Sequence, residues 1–231
     1  MSKSVGNVLT PQDMIGEFGL DPVRYFLMRE VSFGQDGSIS REAIIHRVNS
    51  DLANDLGNLA QRVLSMIAKN CDGKVPEPEG DLDLLEDRRP LIALIDSQDA
   101  IDEIRDHLDN RLAIHEAIEV IWKAVRDANR YVDEKAPWAL LKTDPARMNT
   151  VLYVLAETIR HIAILTQPVM PESSAKLLDQ LAVPEDQRSI AHLNTDSIRG
   201  EYSLVPGTSL PKPEGVFPRF VEDEAATSKT A

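Results

Sequence analysis

A mainly α-helical fold is predicted for this chain of 231 residues: a small irregular α/β connector, an antiparallel helical bundle and an extended C-terminal tail. Three observations carry the prediction. Apolar residues recur at three- and four-residue steps over long stretches. The clearest is Arg41 to Asn70, where Ile44, Val48, Leu52, Leu56, Leu59, Val63 and Ile67 share one face. No proline interrupts that stretch, and Pro168 and Pro171 end one later helix and start the next. Aliphatic residues and Ala supply most of the 42% hydrophobic content and aromatics only 5%, which suits helices.

The first seven residues, Met1 to Asn7, are small, hydroxylated and Gly-containing around Lys3, a loop composition able to approach phosphates. Over residues 8–40, Thr10 and Asp13 frame Pro11 as the start of a short helix through Glu17. Gly19-Leu20-Asp21-Pro22 then ends it and caps a second helix, Val23 to Met28. Ser32 to Ser40 reads as loop with short strand pieces, its turns marked by Gly34 and Gly37. Ser40 is the expected N-cap of one unbroken helix, Arg41–Asn70.

After a Gly/Pro loop from Cys71 to Asp81, four more helical periodicities follow: Leu82–His107, Arg111–Asp133, Arg147–Gln167 and Glu172–Leu181. In the third, Leu152, Leu155, Ile159, Ile162 and Leu165 define the expected buried face. Pro137 and Pro145 bracket a short helical piece between the second and third. Short links between successive helices imply antiparallel neighbours, so residues 41–190 form a bundle. From about 191 the pattern gives way to Gly and Pro, with Val216-Phe217-Pro218-Arg219-Phe220 an apolar anchor inside an extended tail whose last residues, Glu222 to Ala231, are expected to be disordered.

Several functional classes are disfavoured. One cysteine excludes an internal disulfide framework and points to a reducing, cytoplasmic setting. The five histidines have no ligand spacing, so no metal site is expected. No apolar run reaches membrane-spanning length. The net charge of −13 argues against a broad polyanion-binding field. It is unevenly spread: residues 1–70 are nearly balanced at −1, and residues 71–231 carry −12. A nucleic-acid surface would therefore draw on the first third and on specific contacts.

One pattern fits such contacts. Asn54, Asn58 and Arg62 recur every fourth residue beside the apolar stripe of Arg41–Asn70. Residues four apart are surface neighbours, so a carboxamide and a guanidinium fork can address one unstacked base. Alone, this spacing also describes an ordinary solvated face. Trp138 has the same ambiguity between helix-start packing and stacking, whereas Trp122 falls in the apolar phase of its helix.

In this order the pieces resemble the C-terminal part of class I aminoacyl-tRNA synthetases, and within them the methionyl-tRNA synthetases. Met1-Ser2-Lys3-Ser4 resembles the K-M-S-K-S signature loop without its first lysine, and Gly19-Leu20-Asp21-Pro22-Val23-Arg24-Tyr25 the connector after it. Ser40 to Arg62, with Asn49-Ser50-Asp51-Leu52-Ala53-Asn54-Asp55-Leu56-Gly57-Asn58-Leu59-Ala60-Gln61-Arg62, is similar to the anticodon-helix motif, Tyr131-Val132-Asp133-Glu134-Lys135-Ala136-Pro137-Trp138 to the A-P-W stretch, and Leu210 through Arg219 to the C-terminal return segment. Leucyl, isoleucyl, valyl and cysteinyl enzymes share the loop, connector and helical domain. The Asn-Leu-Ala-Gln-Arg and Ala-Pro-Trp stretches favour the methionyl group. An acidic helical protein-interaction module is the reading from another class.

The resemblance implies ATP-dependent attachment of methionine to its tRNA through methionyl-adenylate, with ATP and magnesium used by the intact enzyme. It gives Lys3 the role of stabilising the pyrophosphate leaving group, with Ser2 and Ser4 supporting the loop. Asn58 and Arg62 become the anticodon-contacting pair and Trp138 the stacking residue, toward a tRNA(Met) bearing CAU. Residues 8–40 become a stem-contact connector. No H-I-G-H motif, parallel-sheet pattern or zinc subdomain is present, so the chain is expected to be an inactive part of a larger enzyme that binds no cofactor itself. The lack of an appended dimerisation domain leads to the expectation of a monomer.

Overall fold

The computed structural model describes residues 9–32, 34–35, 37, 39–80, 98–193 and 198–221. The signature-loop residues Ser2, Lys3 and Ser4 lie outside this set. So do the first half of the expected Leu82–His107 helix and the end of the tail from residue 222.

Local chemistry starts the first helices where the sequence places them. The Thr10 hydroxyl accepts from the Asp13 amide at 3.2 Å and the Asp13 carboxylate accepts from the Thr10 amide at 3.2 Å, a reciprocal capping box. It opens α1, Pro11–Phe18, with Pro11 in its first turn. Gly19, at φ +85°, turns the chain directly into α2, Leu20–Glu30. The remaining described residues up to Ser40 form a loop without a strand. The described part of the connector is two helices and a loop, and the expected strand pieces of Ser32–Ser40 fall partly outside the described residues. Val23, Tyr25 and Phe26 of α2 enter the main core.

The Arg41–Asn70 stretch is helical throughout, but not uniformly α. Ser40 caps α3, Arg41–Arg47, its hydroxyl accepting from the Ala43 amide at 3.1 Å. Val48–Gly57 is wound as a π-helix, and α4 runs Asn58–Asn70. Backbone dihedrals stay helical at both junctions, so one rod results with a wide central section. Gly57 accounts for part of this. A Cβ there would stand 2.8 Å from the Leu52 carbonyl oxygen, five residues back, and 3.3 Å from the Phe217 ring. Periodicity missed the wide section because Val48, Leu52 and Leu56 remain buried in it.

The later helices are α5, Gln98–Asp109; α6, Ile114–Lys135; α7, Pro137–Thr143; α8, Pro145–Thr166; and α9, Pro171–Gln180. Consecutive pairs α5–α6, α7–α8 and α8–α9 pack side by side, and α4 and α6 also lie against α8. That matches the antiparallel bundle. The Asp144 carboxylate caps α8 by accepting from the Arg147 amide at 3.0 Å. The cap of α9 comes from far away in sequence: buried Asp21 of α2 accepts from the Ser173 amide at 2.6 Å. Arg24 completes this joint by donating to the carbonyls of Pro168 and Val169 at 2.7 and 2.9 Å.

Helix α8 departs from the one-sided pattern expected of it. Every residue from Thr150 to Thr166 is buried, including Glu157, Arg160 and His161. Glu157 and Arg160 are fully enclosed. Arg160 Nε donates to Glu157 Oε2 at 2.8 Å, Arg160 Nη1 to the His192 carbonyl at 3.2 Å, and the Leu204 amide to Glu157 Oε1. Burial pushes the Glu157 carboxyl upward, against the pull of Arg160.

The tail returns along the bundle. After two 3₁₀ turns it forms an antiparallel bridge between Ser209 and Lys74, supported by Val75 donating to the Thr208 carbonyl at 2.9 Å. The Gln180 side chain then holds Glu214 through two backbone bonds, at 3.0 and 2.8 Å. One apolar core, from Met14 to Leu204, includes residues of the connector, the bundle and the tail.

Two substitutions test this account. Gly57→Ala, favourable in an ordinary helix interior, should here destabilise by about 1–3 kcal/mol and lower Tm by several degrees; a rise in Tm would show that no close approach exists. Arg160→Met should cost about 3–5 kcal/mol in urea unfolding, because it strands a buried carboxylate. Adding Glu157→Gln should recover part of that loss, whereas additive losses would argue against a coupled pair.

Candidate nucleic-acid interface

The residues expected to act together come from two elements. Asn58 opens α4 and Arg62 lies one turn on, so both point from the same face. Trp138 is the second residue of α7, just past a sharp turn at the end of α6. That turn is made by Ala136, held in the left-handed region at φ +43°, followed by Pro137 as the first residue of α7. The turn stops α6 after Lys135 and sets the indole beside α4.

The structure brings Arg62 and Trp138 together. The guanidinium carbon of Arg62 lies 5.5 Å from the centre of the Trp138 ring, within cation–π range. Arg62 Nη2 also donates to Asp133 Oδ1 at 2.7 Å, an ion pair on the surface. The indole is 49% exposed although it is among the largest apolar groups in the chain. Helix-start packing does not explain it. Trp122, by contrast, is buried against the Tyr25 ring at 4.6 Å, as its helical phase suggested.

Asn58 faces a different neighbour. It is exposed and borders an open depression of about 560 Å³ that is also lined by Asn54, Gln61, Phe217 and Arg219. The third member of the polar stripe, Asn54, is already engaged: Arg219 Nη2 donates to its side-chain oxygen at 2.6 Å. Of that stripe, Arg62 meets the Trp138 ring and Asn58 lines the depression.

Sequence reasoning gives no site role to four residues that contribute. Asp133 lies within a stretch quoted for its resemblance but was given no role, although it fixes the Arg62 fork. Gln61 adds a second carboxamide to the depression. Phe217 and Arg219, expected as part of an apolar anchor in the return segment, form the far wall of the depression beside Asn58. A spacing rule cannot join positions about 160 residues apart in the chain. The only signal was the aromatic–proline–basic run itself, which marks a docked segment without naming its dock.

The chemistry on offer is a flat aromatic face, a guanidinium aligned with it and carboxamides that both donate and accept. Such a set suits a splayed base, held by stacking and read along its edges. Among the described residues no group of three or more His, Cys, Asp or Glu could hold a metal ion. Among the same residues no helix is long and apolar enough to cross a membrane.

Comparison with known proteins gives this geometry its context. Residues 1–64 match a family model described as class I (M) tRNA synthetases, and residues 78–230 match the anticodon binding domain of methionyl tRNA ligase. The chain is 54% identical over 227 residues to the methionine–tRNA ligase of Brucella suis, covering 96% of this chain and 41% of that protein. The corresponding ligase of Mycobacterium tuberculosis is 49% identical over 224 residues, covering 95% and 41%. The apo form of the Mycobacterium tuberculosis methionyl-tRNA synthetase superposes with a TM-score of 0.83 at 47% identity, covering 94% of this chain and 42% of that one. The same enzyme in complex with methionyl-adenylate gives 0.84 at 49%, covering 95% and 41%. This chain thus spans about two-fifths of the length of these relatives. The anticodon-domain model alone accounts for more than half of the chain, and the fold agrees with it: this chain belongs to the methionyl-tRNA ligase family, as its anticodon-binding part.

Proposed function

We propose that this chain reads the CAU anticodon of tRNA(Met) on behalf of a methionine–tRNA ligase. The intact protein uses ATP and magnesium to form methionyl-adenylate and passes methionine to the tRNA. The observation that carries the reading is the Arg62 guanidinium held 5.5 Å above the exposed Trp138 indole, one helical turn from Asn58. In this reading Trp138 stacks on a splayed anticodon base, and Asn58 and Arg62 hydrogen-bond base edges. Stacking of this kind contributes about 1–3 kcal/mol per base.

Further assignments follow the family resemblance. Residues 1–7 supply the signature loop, where Lys3 stabilises the departing pyrophosphate and Ser2 and Ser4 support the loop. A fixed cation where negative charge develops lowers the barrier to adenylation. Residues 8–40 contact the tRNA stem, residues 41–190 form the anticodon-binding bundle and residues 191–231 the return tail. By this division the chain alone is inactive in aminoacylation. It acts as a monomer in the cytoplasm.

Titration calorimetry with an anticodon hairpin tests the reading. The chain should bind a CAU hairpin in preference to one with a scrambled loop. Trp138→Ala should weaken that binding by roughly 10- to 100-fold. Equal affinity for both hairpins would refute anticodon reading. In the full-length enzyme, Trp138→Ala or Arg62→Ala should lower kcat/KM for tRNA sharply and leave ATP–pyrophosphate exchange nearly unchanged. Parallel loss of exchange would instead place the defect in the catalytic half.

A further inference from the structure

The far wall of the depression is pinned from behind by a residue with no place in the Trp138–Arg62 platform. Asn49 lies on the π-helical section, nine residues before Asn58. Its carboxamide makes two bonds to a single tail residue: Nδ2 donates to the Phe220 carbonyl at 2.7 Å, and Oδ1 accepts from the Phe220 amide at 2.9 Å. A neighbouring β-strand would pair with Phe220 in the same way. A carboxamide can do both jobs; a carboxylate of the same shape lacks the donor.

What Asn49 holds is the part of the tail that faces Asn58. The residues from Gly215 to Phe220 have no helix or strand of their own. Their placement rests on side-chain pins. The Phe220 ring packs edge-on against Phe18 with centroids 5.0 Å apart, and Arg219 reaches Asn54 at 2.6 Å. Phe217 occupies the space beside Gly57. Asn49 is the pin that fixes the backbone itself. Without it, the wall would have to be ordered at the moment of binding, at an entropic cost that lowers affinity.

Resting on the reading of Asn58 and Trp138 as anticodon contacts, we propose that Asn49 is a positioning residue of that site. Through the Phe220 backbone it holds Phe217 and Arg219 as the second wall of the depression that opens beside Asn58. Asn49 touches no nucleotide. Its effect on recognition passes entirely through the tail.

The test uses the whole chain, its Asn49→Ala and Asn49→Asp variants, and a chain ending at Gly215. Two quantities are read: the calorimetric Kd for the CAU hairpin and the rate of trypsin cleavage after Arg219. Both substitutions should raise Kd by about ten-fold and speed that cleavage by a similar factor, with thermal unfolding of the bundle little changed. The shortened chain should show the same rise in Kd, and Asn49→Ala within it should add nothing. Should Asn49→Ala fail to fold, the isosteric Asn49→Asp must still show both effects. Wild-type Kd in the Asn49 variants, with binding lost in Trp138→Ala, would overturn the positioning role and leave anticodon reading intact. Further loss from Asn49→Ala in the shortened chain would also overturn it, since the residue would then act by another route. Failure of the unmodified chain to prefer CAU would overturn both readings together.

Discussion

A helix buried on every side must be wrapped on every side, and α8 imposes that constraint on the rest of the molecule. Helices α4, α6, α7 and α9 all pack on it. The tail closes over it as well, where the Tyr153 hydroxyl donates to the Leu204 carbonyl at 3.0 Å and Glu157 takes the Leu204 amide. An enclosed carboxylate and guanidinium are tolerable only if all their hydrogen-bonding capacity is met. Part of that capacity is met by the backbone of His192 and Leu204. The tail is therefore a component of the core that happens to lack regular structure. Its route past α8 is also what carries Phe217 and Arg219 round to α4.

The connector is tied to the bundle with similar firmness. Tyr25 packs its ring at a tilt against Trp122 of α6 and donates to Asp51 of the π-helical section at 2.7 Å. Burial, then the Asp51 charge, pushes the Tyr25 hydroxyl above its usual range, so it stays a donor. Arg47 bridges the same Asp51 to Glu30 at the end of α2. With Asp21 capping α9 and Arg24 holding the turn before it, α2 touches three separated parts of the chain. A unit joined in this way transmits displacement as a body, because its joints are buried bonds and packed rings.

Much of this architecture was legible in the sequence because its determinants are local. Thr10, Ser40, Pro137, Pro145 and Pro171 mark helix starts by chemistry that acts within four residues. The family motifs likewise led to Asn58, Arg62 and Trp138, and the structure places the last two in contact. What stayed illegible depends on partners distant in the chain. Phe217 lies against Gly57 at the end of the π-helical section, and the cap of α9 is Asp21. The apolar pattern of α8 showed one face because Glu157, Arg160 and His161 read as polar until their mutual bonds are known.

The two tryptophans are placed so differently that the chain has two distinct optical environments. Trp122 is enclosed between α2 and α6 with the Tyr25 ring across from it. Trp138 stands half in solvent beneath a guanidinium. Their emission is accordingly a sum of a blue-shifted interior component and a red-shifted surface component. A small polar quencher reaches the second and not the first. Loosening of the connector would register in one colour and occupation of the α4–α7 face in the other, so the molecule reports the state of its core and of its surface separately without any added label.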